Sequence, residues 1–241
     1  MVGRTTSSCL DMMMPCMYKK VFVFDLDDTL YKEIDFLKSA YQEIAGYVER
    51  RFGCPNVYHQ MNQWYAEGID VFQTLIDTCH LPVSKDVLIT MYREHHPNIC
   101  LDDDTKETLE ILKAECKAIG IITDGRQLSQ MNKIYALGLE IYMNIEDIFI
   151  SEAYGHQKPD EYAFRKIEQQ YKDCKYIYVG DNPSKDFLAP NRLGWDTICL
   201  LDDGRNIHKQ DFDLQADYLP NRYIYRLNEI MNYNDERRNY E

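Results

Sequence analysis

Asp25, Asp27 and Asp28 stand within four positions directly after the apolar run Val21-Phe22-Val23-Phe24, and Thr29 follows them. Ionised carboxylates packed that tightly repel one another, and where they are partly buried they need positive charge beside them. The same break from apolar to polar recurs further on. Thr123, Asp124 and Gly125 end the run AIGIIT; Lys158 stands seven residues beyond DIFIS; Gly180, Asp181, Asn182 and then Asp186 close YIYV. A divalent cation and one lysine would balance these acids. An all-oxygen carboxylate set with an open face suits magnesium, which keeps waters and bridges to a phosphate. One carboxylate would remain free for covalent work.

These residues need a scaffold that brings them together. Short apolar runs predict strands over Lys20 to Leu26, Ala118 to Thr123, Asp147 to Ser151, Tyr176 to Gly180 and Thr197 to Leu201, with a weaker one at Ala216 to Leu219. Helical patterns lie between the later strands: Asp104 to Cys116, Gln127 to Leu137, Asp160 to Tyr171 and Ser184 to Leu193. This alternation predicts an α/β fold on a mainly parallel sheet, whose ligands bind at the carboxyl ends of the strands. From Asp35 to Asn98 the pattern is helical throughout: Phe36 to Phe52, Tyr58 to Cys79 with a break near Gly68, and Ser84 to His95. It reads as an insertion, residues 35–98, between two pieces of a core at 18–34 and 99–232. Residues 1–17 read as a disordered extension and 233–241 as a frayed tail.

The chain has 241 residues, 45% of them hydrophobic, enough for a sizeable core. Forty acidic residues against 27 basic ones give a net charge of -13, which argues against a general binder of nucleic acid or anionic membranes. Eight cysteines are scattered with no C-x-x-C pair, and read as reduced thiols in a cytosolic protein. The N-terminal segment does not read as a signal peptide, because Asp11 and Pro15 interrupt its apolar part, and no apolar run reaches membrane-spanning length.

The order of these motifs resembles the haloacid dehalogenase superfamily, most closely its phosphatase branch with a helical cap inserted after the first strand. The resemblance runs from Tyr18 to about Met231 and rests on Asp25-Leu26-Asp27-Asp28-Thr29, Thr123, Lys158-Pro159 and Gly180-Asp181-Asn182-Pro183-Ser184-Lys185-Asp186. It implies a Rossmann-like, three-layer α/β/α core with an α-helical cap. It implies further that Asp25 is the nucleophile forming an aspartyl-phosphate, and that Asp27 is the acid and base serving the leaving alcohol and the attacking water. Magnesium would be held by the Asp25 carboxylate, the Asp27 main-chain carbonyl and Asp181. Thr123 would bind phosphate oxygens, Lys158 would pair with Asp25 and phosphate, and Asp186 would orient Lys158 or a metal-bound water. Thr29, Asp124, Gly125 and Asn182 stand as substrate or supporting contacts. Relatives that cleave carbon–halogen bonds resemble one another in lacking the acid at the Asp27 position, so its presence favours phosphoryl transfer. Many relatives have Asn where this chain has Asp124, and Arg126 is a candidate for an extra anionic contact there.

The implied activity is magnesium-dependent hydrolysis of a small phosphomonoester: a sugar phosphate, nucleotide or organic acid phosphate. A phosphomutase and a catalytically silent binder are the alternatives. A receiver-type phosphorylation domain is disfavoured, since no lone Asp follows a central strand. Substrate choice falls to the insertion, with Tyr31, Lys32, Trp64, Tyr65, Arg93 and His95 as candidates. Asp28 reads as a solvated turn acid, His95-His96 as an exposed or cap-lining pair, His156 as solvent-facing, and Asp102 to Asp104 as a helix N-terminal flank.

Overall fold

The computed structural model describes residues 19–232, so the expected extension at 1–17 and the tail at 233–241 lie outside the described residues. Six parallel strands form one sheet in the order β3-β2-β1-β4-β5-β6. They are β1 (Lys19–Phe24), β2 (Ala118–Thr123), β3 (Ile148–Ile150), β4 (Cys174–Gly180), β5 (Asp196–Leu200) and β6 (Arg222–Ile224). Strand β1 sits between β2 and β4, where the order of the chain reverses, and this is where parallel sheets open a crevice at their carboxyl ends. Its four apolar side chains divide by the two-residue period of a strand. Phe22 and Phe24 enter one layer with Ile121, Val179 and Leu109, whereas Val21 and Val23 enter the other with Phe164, Tyr178 and Phe187. All four are at most 2% exposed, worth up to about 1.5–3 kcal/mol each by area burial.

Between β1 and β2 come α1 (Glu33–Phe52), α2 (Val57–Ala66), α3 (Val71–Cys79), α4 (Lys85–Glu94) and α5 (Asp103–Glu115). Helices α1 to α4 have a cluster of their own, built from Leu37, Tyr41, Ile44, Val48, Met61, Leu75 and Leu88. Helix α1 stops because Gly53 adopts φ 72°, which lets its N–H reach the Glu49 carbonyl at 3.1 Å. Asp102 caps α5 by accepting from the Thr105 N–H at 2.7 Å, as its place in an acidic flank predicts. The remaining helices are α6 (Gln127–Ala136), α7 (Ser151–Tyr154), α8 (Tyr162–Gln170), α9 (Pro183–Asp186) and α10 (Leu188–Arg192).

Some expectations are corrected. The weak strand at Ala216 to Leu219 is a 3-10 turn over Ala216–Tyr218, and the sixth strand is Arg222–Ile224. The helix expected over Ser184 to Leu193 is two short ones, parted at Phe187. The cysteines are not all reduced: Cys54 and Cys79 form a disulfide joining the ends of α1 and α3, while Cys100, Cys116, Cys174 and Cys199 are free thiols. Among the described residues no helix is long and apolar enough to cross a membrane.

Candidate active site

The carboxyl ends of β1, β2 and β4 deliver Asp25, Thr123 and Asp181 to one place, and all three are buried. Asp25 is locked into the strand edge by its N–H, which donates to the Val179 carbonyl at 2.8 Å. Lys158 arrives on the loop after α7. Its ammonium lies 2.8 Å from Asp25 Oδ1 and 2.7 Å from Asp186 Oδ1, and donates to the Tyr178 hydroxyl at 3.1 Å. Its own backbone N–H is held by Asp124 Oδ1 at 3.0 Å. Buried as it is, Lys158 stays charged, because Asp186 and Asp25 hold its pKa well above the usual lysine value.

Asp186 is fully buried, and its second oxygen accepts from the Asn182 N–H at 2.8 Å. That packing requires Gly180: a Cβ there would lie 2.6 Å from Asp186 Oδ2. Carboxylate oxygens of Asp25, Asp181 and Asp186 lie within 4.8 Å of one another. Burial, then Asp186 and Asp25, push the Asp181 carboxyl up to about 9; burial, against the pull of Lys158, pushes Asp25 up to about 6. Three carboxylates thus share one ammonium, and the excess of negative charge among oxygen ligands fits a hard divalent cation. Asp25 Oδ2 and Asp181 Oδ1 take no hydrogen bond from any described residue, whereas both oxygens of Asp186 are engaged. Asp25 and Asp181 are therefore the acids free to hold an ion, and Asp186 is the anchor of Lys158.

Asp27 sits in a cage that spacing along the chain did not reveal. Its Oδ1 accepts from the Tyr31 hydroxyl at 2.5 Å and from Lys133 Nζ at 2.7 Å; its Oδ2 accepts from Lys133 Nζ and Gln130 Nε2, both at 2.9 Å. Burial disfavours its charge, but Lys133 and these hydrogen bonds outweigh that and hold its carboxyl below the usual range. Gln130 also donates to Thr123 Oγ1 at 2.7 Å, which leaves the Thr123 hydroxyl hydrogen free to point elsewhere. Lys158 is thus not the only cation at the site. Gln130 and Lys133 are buried on α6, three residues apart on one helix face; that i, i+3 polar pair just after the Thr123 motif is the one trace they leave in the sequence.

The other expected residues divide. Thr29 is buried at the site, and its hydroxyl has no hydrogen-bond partner among the described residues. The Gly125 N–H donates to Ser151 Oγ at 3.0 Å. Asn182 is turned toward α9, accepting from the Ser184 N–H at 3.1 Å. Arg126 is exposed, and no described residue makes a polar contact with its guanidinium. Asp28 is no solvated turn acid. It is buried at φ 57° and accepts from the N–H groups of Glu33 at 2.9 Å and Ile207 at 3.0 Å, because the loop after β5 folds back over it. The same loop brings Asn206, which donates to Asp181 Oδ2 at 2.9 Å and accepts from Lys32 Nζ at 2.7 Å. His95 is buried against Phe36, with Nδ1 2.8 Å from the Tyr92 carbonyl, while His96 is exposed. His156 is exposed and pairs with Asp160 at 3.1 Å.

Residues 22–200 match the sequence profile of the haloacid dehalogenase-like hydrolases. A protein of Methanocaldococcus jannaschii named glyceraldehyde 3-phosphate phosphatase is 25% identical over 205 residues, spanning 76% of this chain and 85% of its own. A Pyrococcus furiosus protein of the same name is 28% identical, spanning 74% and 79%. Among solved structures, the HAD-hydrolase YfnB of Bacillus subtilis, bound to magnesium, covers 89% of this chain and 98% of its own with a TM-score of 0.58 at 22% identity. A 2-haloacid dehalogenase of Pseudomonas syringae covers 89% and 97% with a TM-score of 0.55 at 21% identity. Phosphatases and dehalogenases thus share this fold, and the likeness of backbones leaves the choice of chemistry to the side chains.

Proposed function

The chain belongs to the haloacid dehalogenase-like hydrolases and is a phosphohydrolase of that family, and from this we propose that it is a magnesium-dependent phosphatase of small phosphomonoesters working through an aspartyl-phosphate. The observation that carries the reading is Lys158, buried between Asp25 and Asp186, whose carboxylates gather with that of Asp181. Asp25 and Asp181, with the Asp27 carbonyl, would hold magnesium, which when bound neutralises charge on the transferred phosphoryl group.

The chain's own groups account for the rest. Asp25 Oδ2 attacks phosphorus as the bond to the leaving oxygen breaks, and Lys158 keeps Asp25 ionised and faces the phosphate. The Thr123 hydroxyl, its oxygen already fixed by Gln130, donates to a phosphate oxygen. Asp27 gives a proton to the leaving alcohol; its carboxylate then takes a proton from the water that attacks phosphorus, which frees Asp25 and inorganic phosphate. Its partners Tyr31, Lys133 and Gln130 hold the ionised half of that cycle. Phosphate release from a panel of small phosphomonoesters, with and without magnesium, tests the reading; metal-independent release contradicts it.

Asp27→Asn should separate substrates by leaving group. Turnover of a sugar phosphate should fall about 10²–10⁴-fold, the usual worth of a positioned acid, and that of p-nitrophenyl phosphate, whose leaving group departs without a proton, far less. Equal losses for both would remove Asp27 from the acid role.

The raised acids also fix how stability depends on pH. In the metal-free protein Asp25 and Asp181 bind protons more tightly than in the unfolded chain, so the native state loses stability as pH rises from the ordinary 3.8 through about 6 and then about 9. Magnesium offsets that cost and competes with those protons. Its addition should raise Tm by clearly more at pH 9 than at pH 6, read by calorimetry; an equal rise at both would contradict the assignment of these two acids.

A further inference from the structure

Glu33 opens α1, and Phe36, Leu37, Ala40, Tyr41 and Ile44 follow it at helical spacing, all five of them buried. A carboxylate at the head of such a face needs a partner, yet no described residue gives the Glu33 side chain a hydrogen bond, and it is half-buried. Phe36 lies 5.4 Å edge-on from Tyr92 and 4.4 Å beneath the Lys133 ammonium that grips Asp27. Tyr92 also meets Phe72 edge-on at 5.9 Å and Tyr41 at a tilt at 6.4 Å, and Tyr41 meets Tyr65 edge-on at 6.4 Å. The aromatic cluster of the insertion therefore abuts the acid that serves the leaving group. The hydroxyls of Tyr65 and Tyr92, both half-buried, also take no hydrogen bond from any described residue. Glu33 shares a face of α1 with Phe36 and Tyr41 by helical spacing, and those two rings touch Tyr92 and, through Tyr41, Tyr65, which sets the three unpartnered polar groups around one aromatic cluster that reaches Lys133 and Asp27. Burial and then the Glu33 carboxylate raise both hydroxyls, and burial and then Asp27 raise Glu33 to about 8.

Charge sets the second half of the case. Four lysines lie around the site and each is already paired: Lys133 with Asp27, Lys158 with Asp25 and Asp186, Lys32 with Asn206 and, at 3.4 Å, with Asp203, and Lys185, at 3.9 Å, with Asp124. None of the four is left unpaired, Arg126 follows β2 rather than lying on α1, α2 or α4 with Glu33, Tyr65 and Tyr92, and the Glu33 carboxyl, which no described residue pairs, stands on that side at the head of α1. A hydroxyl, which donates and accepts, complements a carboxylate flanked by phenols.

We propose that the leaving-group side of the site is built for a small, uncharged, hydroxyl-bearing organic group held by Glu33, Tyr65 and Tyr92, and that it turns away phosphomonoesters carrying a second anion. This rests on the phosphatase reading above and narrows it, excluding bisphosphates and phosphorylated carboxylic acids.

The test compares glyceraldehyde 3-phosphate with 3-phosphoglycerate, three-carbon esters that differ by an aldehyde against a carboxylate, using the full chain with magnesium at pH 8.5. Wild-type kcat/KM should favour the aldehyde by about 100-fold, the scale of a like-charge clash. Glu33→Gln should narrow that ratio about tenfold, and Tyr92→Phe should lower the preference for glyceraldehyde 3-phosphate over p-nitrophenyl phosphate. The inference is overturned by equal or faster wild-type turnover of 3-phosphoglycerate, a comparison that stands even where a variant fails to fold. Cleavage of p-nitrophenyl phosphate that needs Asp25, with neither three-carbon ester cleaved, keeps the phosphatase reading and removes this one. No cleavage of any ester removes both.

Discussion

Asp25→Asn should lower phosphate release from every phosphomonoester by about 10⁴-fold or more, the usual cost of removing a covalent nucleophile. The amide oxygen has no electron pair of carboxylate strength to offer phosphorus, while the shape of the site barely changes. The same substitution makes a second forecast of opposite sign. Asp25 is raised to about 6 by burial, against the pull of Lys158 and with a push from Asp186, so its ionisation opposes folding at neutral pH. The metal-free variant should therefore melt no lower than wild type above pH 7, and should lose most of the stabilisation that magnesium gives. Steady-state phosphate release and calorimetry on one preparation read both. Near-wild-type turnover would eliminate the covalent route.

Lys158→Ala should damage the protein in two ways at once. Removing the ammonium leaves Asp25 and Asp186 buried without their common partner, which should cost about 3–5 kcal/mol of stability in the metal-free state, read by urea unfolding at pH 8. Turnover should fall about 10²–10³-fold, the loss expected for one preorganised donor at a site of developing charge. Wild-type kinetics in a folded Lys158→Ala protein would take the lysine out of the site.

Asp25, Thr123 and Asp181 were legible in the sequence because a parallel sheet buried on both faces writes its strands as unbroken apolar runs, whereas Lys158, seven residues beyond its run, rested on the resemblance. VFVF, AIGIIT and YIYV stand out, and the residue after each run must lie at the carboxyl edge. Strand β6 escaped because only one of its three residues is buried; Arg222-Tyr223-Ile224 is an edge without an apolar run. Lys133 and Gln130 escaped for a different reason. Apolar spacing along α6 points Leu128 inward, yet Leu128 is 52% exposed and the two polar residues face the core, because the Asp27 charge needs them more than the core needs a leucine. Asn206 escaped because long irregular loops have no period, and its contact with Asp181 follows from where the loop after β5 folds back. The Cys54–Cys79 pair could not be told from six other cysteines, since the meeting of the ends of α1 and α3 is set by tertiary packing.

The central place of β1 has a bearing on how the protein is made. Val21 pairs with Ala118 on one side and Tyr176 on the other, so the strand that bears Asp25 leaves the ribosome long before either neighbour exists. At a synthesis rate of about 5–20 residues per second it waits several seconds with both edges unpaired. Helices α1 to α4, which follow it at once and pack largely on one another, have their partners within reach in that interval. Helices α1 to α4 thus have packing partners while the first strand is still waiting, and the acids gather only after β4 has joined. A chain cut short before Cys174 has neither the strand that completes the sheet around Asp25 nor the carboxylate that gathers with it.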